Sequence, residues 1–245
     1  MSKKEKIAIL IPAYNEEKHL GKVLDDCLAY NLDVIVVDDG SQDKTSQVVK
    51  KIQKKVGKQI ILIKHHLNQG KGTALKTGFQ YVLKNNYQGV ITLDADGQHK
   101  VKEIELFLKN LKQQPADLIV GSRLDNTQNM PFVRLATNVI TSKIVSFLAG
   151  QKVDDVQSGF RFISCQLLKN VELKTKNFDT EPEIILKASW LQYPIKNIPI
   201  TTIYHQQFIS QVNPLTDTIK FFKLIGKSFI WRYQLCFRLP KKKHH

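Results

Sequence analysis

Two acidic clusters stand out for what their spacing could do. In Leu93-Asp94-Ala95-Asp96-Gly97-Gln98-His99, two carboxylates one residue apart enter a turn opened by a glycine. Carboxylates that close repel each other unless a cation neutralises them. Oxygen ligands on a turn, with positions left for phosphate, suit Mg2+ or Mn2+. A metal-bridged diphosphate is a good leaving group, because the cation takes up the charge that develops as the bond breaks. The plain alternative is a solvated turn capping the next helix.

The second cluster, Val36-Val37-Asp38-Asp39-Gly40-Ser41-Gln42-Asp43-Lys44-Thr45, repeats the layout: an apolar run, an acidic pair, a Gly-Ser turn and a helix. Asp43 or Ser41 is expected to cap that helix. Asp38 and Asp39 are left at a strand tip with no structural duty, free to accept hydrogen bonds from a base N–H or a ribose hydroxyl. Pro12-Ala13-Tyr14-Asn15-Glu16-Glu17 closes a first apolar run, with Pro12 ending the ladder and Asn15 as a candidate cap. Asn68-Gln69-Gly70-Lys71-Gly72-Thr73 lacks the GxxxxGK[ST] spacing of a P-loop, though its glycines and helix start could present N–H groups to an anion. His65-His66 reads as a solvated strand end and not as a metal site.

These segments need a frame that brings them together. Short apolar runs at 7–11, 33–37, 59–63, 89–93 and 117–120 alternate with polar stretches of helical length at 16–30, 44–55 and 72–84. That alternation predicts an α/β fold with a mostly parallel sheet covered by helices on both faces. In such sheets ligands bind at the carboxyl ends of the strands, where the acidic clusters lie. Further on, a helix is expected over 131–150 with Val139, Ile140, Ile144, Phe147 and Leu148 on its apolar face. A strand at 159–164, a helix at 180–191 and an extended segment at 194–204 follow. Residues 214–238 read as one amphipathic helix, in which Phe221, Phe222, Leu224, Ile225, Phe229, Ile230 and Trp231 lie among Lys220, Lys223, Lys227 and Arg232. A basic tail follows it. The expected organisation is one catalytic domain over 1–213, with 214–245 as a possible membrane-facing appendage.

The chain has 245 residues and a net charge of +15, which implies an anionic partner. Nucleic acid is disfavoured: no helix-turn-helix, zinc or RNA-binding signature accompanies the charge, and strand-tip carboxylates would repel a phosphate backbone. No stretch has the length of uninterrupted apolar sequence that a spanning helix needs, and no signal peptide is legible, so a cytoplasmic location is expected. Cys27, Cys165 and Cys236 have no pairing or metal-ligand spacing and read as idle thiols.

In order along the chain, PAYNEE, VVDDGSQDKT, NQGKGTA and LDADGQH resemble glycosyltransferase family 2. Gly121-Ser122-Arg123, Gln157-Ser158-Gly159-Phe160-Arg161 and Glu181-Pro182-Glu183 resemble its dolichol-phosphate mannosyltransferase and polyprenyl-phosphate glycosyltransferase branch. The resemblance implies a GT-A fold and metal-dependent, inverting transfer of a hexose from a nucleotide sugar of the GDP-mannose or UDP-glucose type to a polyprenyl phosphate. It implies that Pro12, Tyr14, Glu16, Asp39 and Asp94 hold the nucleotide, and that Asp94, Asp96 and Gln98 hold the metal. Arg123, Arg134 and Arg161 would bind the acceptor phosphate, with Asn138 standing where a serine is usual. Asp155 would orient the acceptor or act as a base, or else be a turn residue. Arg161 could equally be salt-bridged to Glu181 or Glu183. A basic residue is usual on the loop after Tyr204, where this chain has His205. Trp190 reads as core, and Trp231 as core or membrane-facing. An anionic membrane surface or a membrane partner protein would present such an acceptor. A soluble or glycan acceptor is the alternative within the same family.

Overall fold

The computed structural model describes residues 6–123, 130, 132–203 and 214–238, the last stretch with side chains only over 221–233. The expected segments at 131, 204–213 and 239–245, His205 and the basic tail included, lie outside the described residues, as does the Cys236 side chain.

Seven strands form one sheet: β1 (Ile7–Ala13), β2 (Asp33–Asp38), β3 (Ile60–Lys64), β4 (Gly89–Thr92), β5 (Leu118–Ser122), β6 (Arg161–Ser164) and β7 (Ile195–Pro199). Their order is β3-β2-β1-β4-β6-β5-β7. All neighbours are parallel except β6, which runs antiparallel to both β4 and β5. The expected mostly parallel sheet is therefore observed. The helices are α1 (Leu20–Leu28), α2 (Thr45–Val56), α3 (Lys71–Lys84), α4 (Ile104–Gln113), α5 (Phe132–Ala149), α6 (Cys165–Asn170), α7 (Thr180–Trp190) and α8 (Pro214–Arg238).

Alternation within buried strands sorts the core into two layers. Ile7, Ile9, Ile11, Val34 and Val36 point to one side with Leu20, Leu24 and Phe107. Ala8, Leu10, Ile35 and Val37 point to the other with Leu75, Phe79, Val145 and Ile185. Cys27 and Cys165 are buried, and burial pushes the Cys27 thiol up to about 12, which leaves it inert.

Pro12 does not end β1, contrary to expectation. The strand continues to Ala13, whose carbonyl accepts from the Asp39 amide, while the Leu10 carbonyl accepts from Leu93 on the opposite side. By that alternation the missing Pro12 N–H would face β4, whose register with β1 has already ended at Leu10–Thr92. No ladder bond is lost.

Two helices differ from their sequence reading. In α5 the inward residues are Asn138, Thr141, Ser142, Val145 and Ala149, whereas Ile140 and Phe147 of the expected apolar face are exposed, Phe147 at 85%. Helical periodicity finds the helix but cannot show which side faces the domain, and here a polar stripe is drawn inward by hydrogen bonds. In α8 a narrow stripe of Leu224, Ser228 and Trp231 is buried. Trp231 covers the Lys187 ammonium of α7 at 4.5 Å, so it belongs to the core. Phe222, Phe229, Ile230 and Tyr233 remain exposed.

Phe107 of α4 stacks on Phe160, centroids 4.5 Å apart, and both rings are fully buried. Phe107→Ala should lower the unfolding free energy by about 3–5 kcal/mol, measured by urea denaturation.

Candidate active site

The carboxyl edge of the sheet gathers the expected segments, and each carboxylate can be followed to its partners. Asp38 is fully buried; it accepts from the Ser41 amide at 2.9 Å and from the Ser46 hydroxyl. Asp39 accepts from the Gln69 amide (3.0 Å) and the Gly70 amide (2.8 Å), with His65 Nδ1 at 2.6 Å. The expected idle acidic pair is thus a correction. Asp38 shapes its own turn, and Asp39 clasps the 68–70 loop, keeping one acceptor position on Oδ2 for a ligand. His65 is likewise not solvated: its other nitrogen lies 2.9 Å from the Thr77 hydroxyl. His66 is exposed, as expected.

Asn15 does not cap α1, which starts at Leu20. It lies at φ 55° and joins the first two loops instead, donating its amide to Ser41 Oγ at 2.9 Å and accepting from the Gln42 amide at 2.9 Å. Asp43 serves the start of α2, accepting from the Thr45 amide at 2.9 Å. Tyr14 is exposed at the rim and Pro12 lies beneath it in the sheet. Glu16 is half-buried, and burial raises its carboxyl; the hydrogen bond from His19 opposes this and the charge of Asp96 adds to it. Pro12, Tyr14, Glu16 and Asp39 thus share an edge with the second acidic cluster.

That cluster is held firmly. The Thr92 hydroxyl donates to the Gly159 carbonyl at 2.6 Å, and the Ile203 amide donates to the Gln98 carbonyl at 2.8 Å. Gly159 permits the closest approach: a Cβ there would lie 2.5 Å from both Asp94 oxygens. Lys71 Nζ lies 2.7 Å from Asp94 Oδ1 and 2.9 Å from Glu181 Oε1, and His99 Nε2 lies 3.4 Å from Asp94 Oδ2. Burial would raise the Asp94 carboxyl, but Lys71 and then His99 outweigh it and hold it well below the usual carboxylate range. Asp96 shifts the other way, raised by burial and by the charge of Asp94. Its Oδ1 accepts from the Gln98 amide at 2.9 Å.

A divalent metal fits this pair. The two carboxylates stand one residue apart; burial first and the Asp94 charge second raise the Asp96 carboxyl, and a cation would relieve the repulsion between them. Among the described residues no three His, Cys, Asp or Glu side chains converge as a metal cage.

A second cluster adjoins. Arg123, 5% exposed, donates to Asp155 through Nε (2.6 Å), Nη2 (2.9 Å) and its main-chain amide (3.1 Å), while Asn138 Nδ2 donates to Asp155 Oδ1 at 2.9 Å. The structure thus brings together Arg123, Asn138 and Asp155, three residues far apart in sequence. It also corrects Asp155 as a base: burial would raise its carboxyl, but Arg123 and then Asn138 keep it below the ordinary range, and it is fully buried. Arg134 lies one turn before Asn138 on α5, half-buried.

Arg161 is a further correction. It is 1% exposed and donates to the carbonyls of Ser158, Glu181 and Val156, each at 2.7 Å, so it pins the 156–161 turn to α7 instead of facing a phosphate. Nor does it pair with the Glu181 or Glu183 side chain: Glu183 bonds Lys187 and the amides of Lys174 and Thr175. Burial pushes Arg161 down to about 10, with Glu181, Asp155, Asp94 and Arg123 all near enough to contribute. It therefore separates the two clusters. Sequence reasoning missed Lys71 as the partner of Asp94 and its bridge to Glu181; the only signal was a lysine opening a helix after a glycine.

This fold, with acidic clusters at the carboxyl ends of β2 and β4 and a basic cluster after β5, defines a GT-A glycosyltransferase. The chain belongs to glycosyl transferase family 2, whose family model matches residues 8–172. It is 35% identical over 229 residues to an uncharacterised protein of Methanocaldococcus jannaschii, covering 91% of this chain and 92% of that one. It is 34% identical over 215 residues to the UDP-N-acetylglucosamine–dolichyl-phosphate N-acetylglucosaminyltransferase of Methanococcus voltae, covering 81% and 86%. Among solved structures it is similar in fold to glucosyl-3-phosphoglycerate synthase of Mycobacterium tuberculosis in complex with Mn2+, UDP-glucose and phosphoglyceric acid. The TM-score is 0.64 and the identity 15%, covering 98% of this chain and 82% of that one.

Asp155→Asn should expose the difference between a base and a structural counter-ion. Removing the carboxylate from buried Arg123 is expected to cost about 3–5 kcal/mol of stability at neutral pH, read by chemical denaturation. Because the folded-state carboxyl titrates below its unfolded value, this contribution is present above about pH 4 and is lost as pH falls through the folded value. A variant as stable as the parent but without transferase activity would restore the base.

Proposed function

We propose that the protein transfers a hexose from a nucleotide sugar to a polyprenyl phosphate, with Mg2+ or Mn2+ on Asp94, Asp96 and Gln98. Helix α5 carries this reading, because it offers both halves of a lipid phosphate a surface. Inward, Asn138 bonds into the Arg123–Asp155 cluster. Outward, Phe132, Val133, Ile140 and Phe147 are exposed. The M. voltae relative is named for a dolichyl-phosphate acceptor, which supports the same choice over a soluble or glycan acceptor.

The chemistry asks little of a base. A lipid phosphate with a second pKa near ~6 is already an anionic nucleophile at neutral pH. The metal, when bound, neutralises the departing diphosphate. Pro12, Tyr14, Glu16 and Asp39 hold the nucleoside at the edge of β1 and β2. Arg123 and Arg134 draw the acceptor phosphate in and align it with the anomeric carbon, and Arg161 holds the intervening turn still. Asp155 fixes the Arg123 guanidinium in the direction it must face.

Acceptors of this kind lie in a bilayer. Helix α5 has the length and apolarity of a membrane span, but Asn138, Thr141 and Ser142 on its inner face are buried against the domain. It is better suited to lie on a bilayer than to cross one. Exposed Phe222, Phe229 and Ile230 of α8 sit beside Lys223, Lys227 and Arg232, a pairing that suits the headgroup boundary of an anionic leaflet. We place the enzyme there, on the cytoplasmic face.

Two measurements test the proposal. Purified protein with Mn2+ should move label from one of GDP-mannose, UDP-glucose or UDP-N-acetylglucosamine into detergent-solubilised undecaprenyl phosphate, and Asp96→Ala should lower the rate by roughly 10²-fold or more. Nucleotide binding without lipid labelling would remove the acceptor from the proposal. Ile140→Lys with Phe147→Ser should leave the melting temperature within a few degrees, since both side chains are exposed, while reducing co-sedimentation with anionic vesicles. Unchanged co-sedimentation would remove α5 as the docking face.

A further inference from the structure

Lys71 stands between two carboxylates with no obvious need to be there. It opens α3, directly after Gly70, whose φ of 95° turns the chain so that its own amide meets Asp39. The ammonium lies 2.7 Å from Asp94 and 2.9 Å from Glu181, with the Phe178 ring 5.5 Å away. The Glu181 side chain is only 5% exposed. Oε1 forms a short ion pair with the Lys71 ammonium, which is the partner the structure gives this carboxylate among the described residues. Glu181 therefore acts through its charge, and Lys71 is what that charge holds.

The fold does not require the pair. The start of α3 is already locked to the segment before α7: the Thr73 amide donates to the Lys176 carbonyl at 3.1 Å, and Gly72 packs against Thr180 so tightly that a Cβ would overlap its hydroxyl. A buried ion pair adds little to such a contact, because desolvation offsets its attraction. The same charges matter greatly for an anionic ligand. Asp94 and Glu181 bring two negative charges to one small cleft, which Pro12, Lys71 and Arg161 also help to line, and Asp96 adds a third close by. Lys71 and Arg161 offset two of the three, so a divalent cation leaves the site one charge positive, and losing Lys71 would remove that excess.

We propose that Lys71, anchored by Glu181, is a positioning residue of the donor site. It fixes the Asp94 carboxylate and, with Arg161, keeps the cleft from repelling an incoming nucleoside diphosphate. This inference rests on the proposed donor site. It assigns Asp94 first to Lys71 and His99 and leaves Asp96 as the principal carboxylate for the metal.

Lys71→Met should therefore act oppositely on two ligands. With one positive charge gone, Mn2+ alone should bind several-fold tighter by electron paramagnetic resonance titration. At saturating Mn2+, GDP or UDP (whichever the parent protein binds) should bind roughly tenfold weaker by calorimetry. Glu181→Gln removes a negative charge, which by itself would favour the nucleotide; weaker nucleotide binding in it, without tighter Mn2+, is therefore the expected mark of the lost anchor. Lys71→Arg should recover part of the nucleotide affinity. Should Lys71→Met fail to fold, Lys71→Arg and Glu181→Gln carry the same comparison through their nucleotide affinities. Unchanged nucleotide binding in these variants, or Mn2+ and nucleotide weakening together, would overturn the proposal. A parent protein that binds neither nucleoside diphosphate with Mn2+ would instead overturn the donor site and this inference with it.

Discussion

Negative charge gathered at one edge of a sheet is the constraint to which the rest of this structure answers. Asp38, Asp39, Asp94, Asp96, Asp155 and Glu181 are all partly or wholly buried, and buried carboxylates persist only where something answers each charge. The answers differ in kind. Main-chain amides and hydroxyls answer Asp38, while amides and the His65 ring answer Asp39. Arg123 answers Asp155, and Lys71 answers Asp94 and Glu181 together. Only Asp96 remains raised above its ordinary range.

The sheet serves this arrangement through its order. Placing β1 between β2 and β4 sets the two acidic clusters on either side of the Pro12 tip. Reversing β6 carries the 156–161 turn to the same edge, where the Gly159 main chain can approach Asp94 without a side chain in the way. A parallel β6 would deliver that turn to the opposite edge. The one departure from parallel order is thus tied to the site, since it supplies both the glycine and the Arg161 pin.

Much of this was legible in the sequence, and the reason is local. Continuous β-branched runs between polar stretches of helical length define the alternation, and the strand-tip clusters follow within a few residues of each run. Asp94 and Asp96 follow β4 directly, so their place at the sheet edge needs nothing from elsewhere. What was not legible depends on distant partners. That Asp39 is engaged depends on Gln69 and Gly70, some thirty positions later, and that Asp94 is neutralised depends on Lys71. Arg161 looked like a phosphate ligand because an arginine in a turn usually is solvated; the Ser158 and Val156 carbonyls of its own turn fold back on it, and the Glu181 carbonyl of α7 completes the set.

Helix α5 makes the same point about amphipathicity. A helix with two usable faces carries no label saying which one is inside, and hydrophobicity alone selects the wrong side when the interior offers hydrogen bonds. Asn138, Thr141 and Ser142 turn inward because Asp155, the Gln157 side chain and the Val156 amide are there to meet them. The cost of that orientation is an outer face that water does not favour, bearing Phe132, 81% exposed, and Phe147. In an enzyme confined to aqueous solution such a face would be a liability for aggregation. The face that seats Asn138 against Asp155 and the apolar face turned outward are thus opposite sides of one helix, and the packing that selects the first leaves the second uncovered.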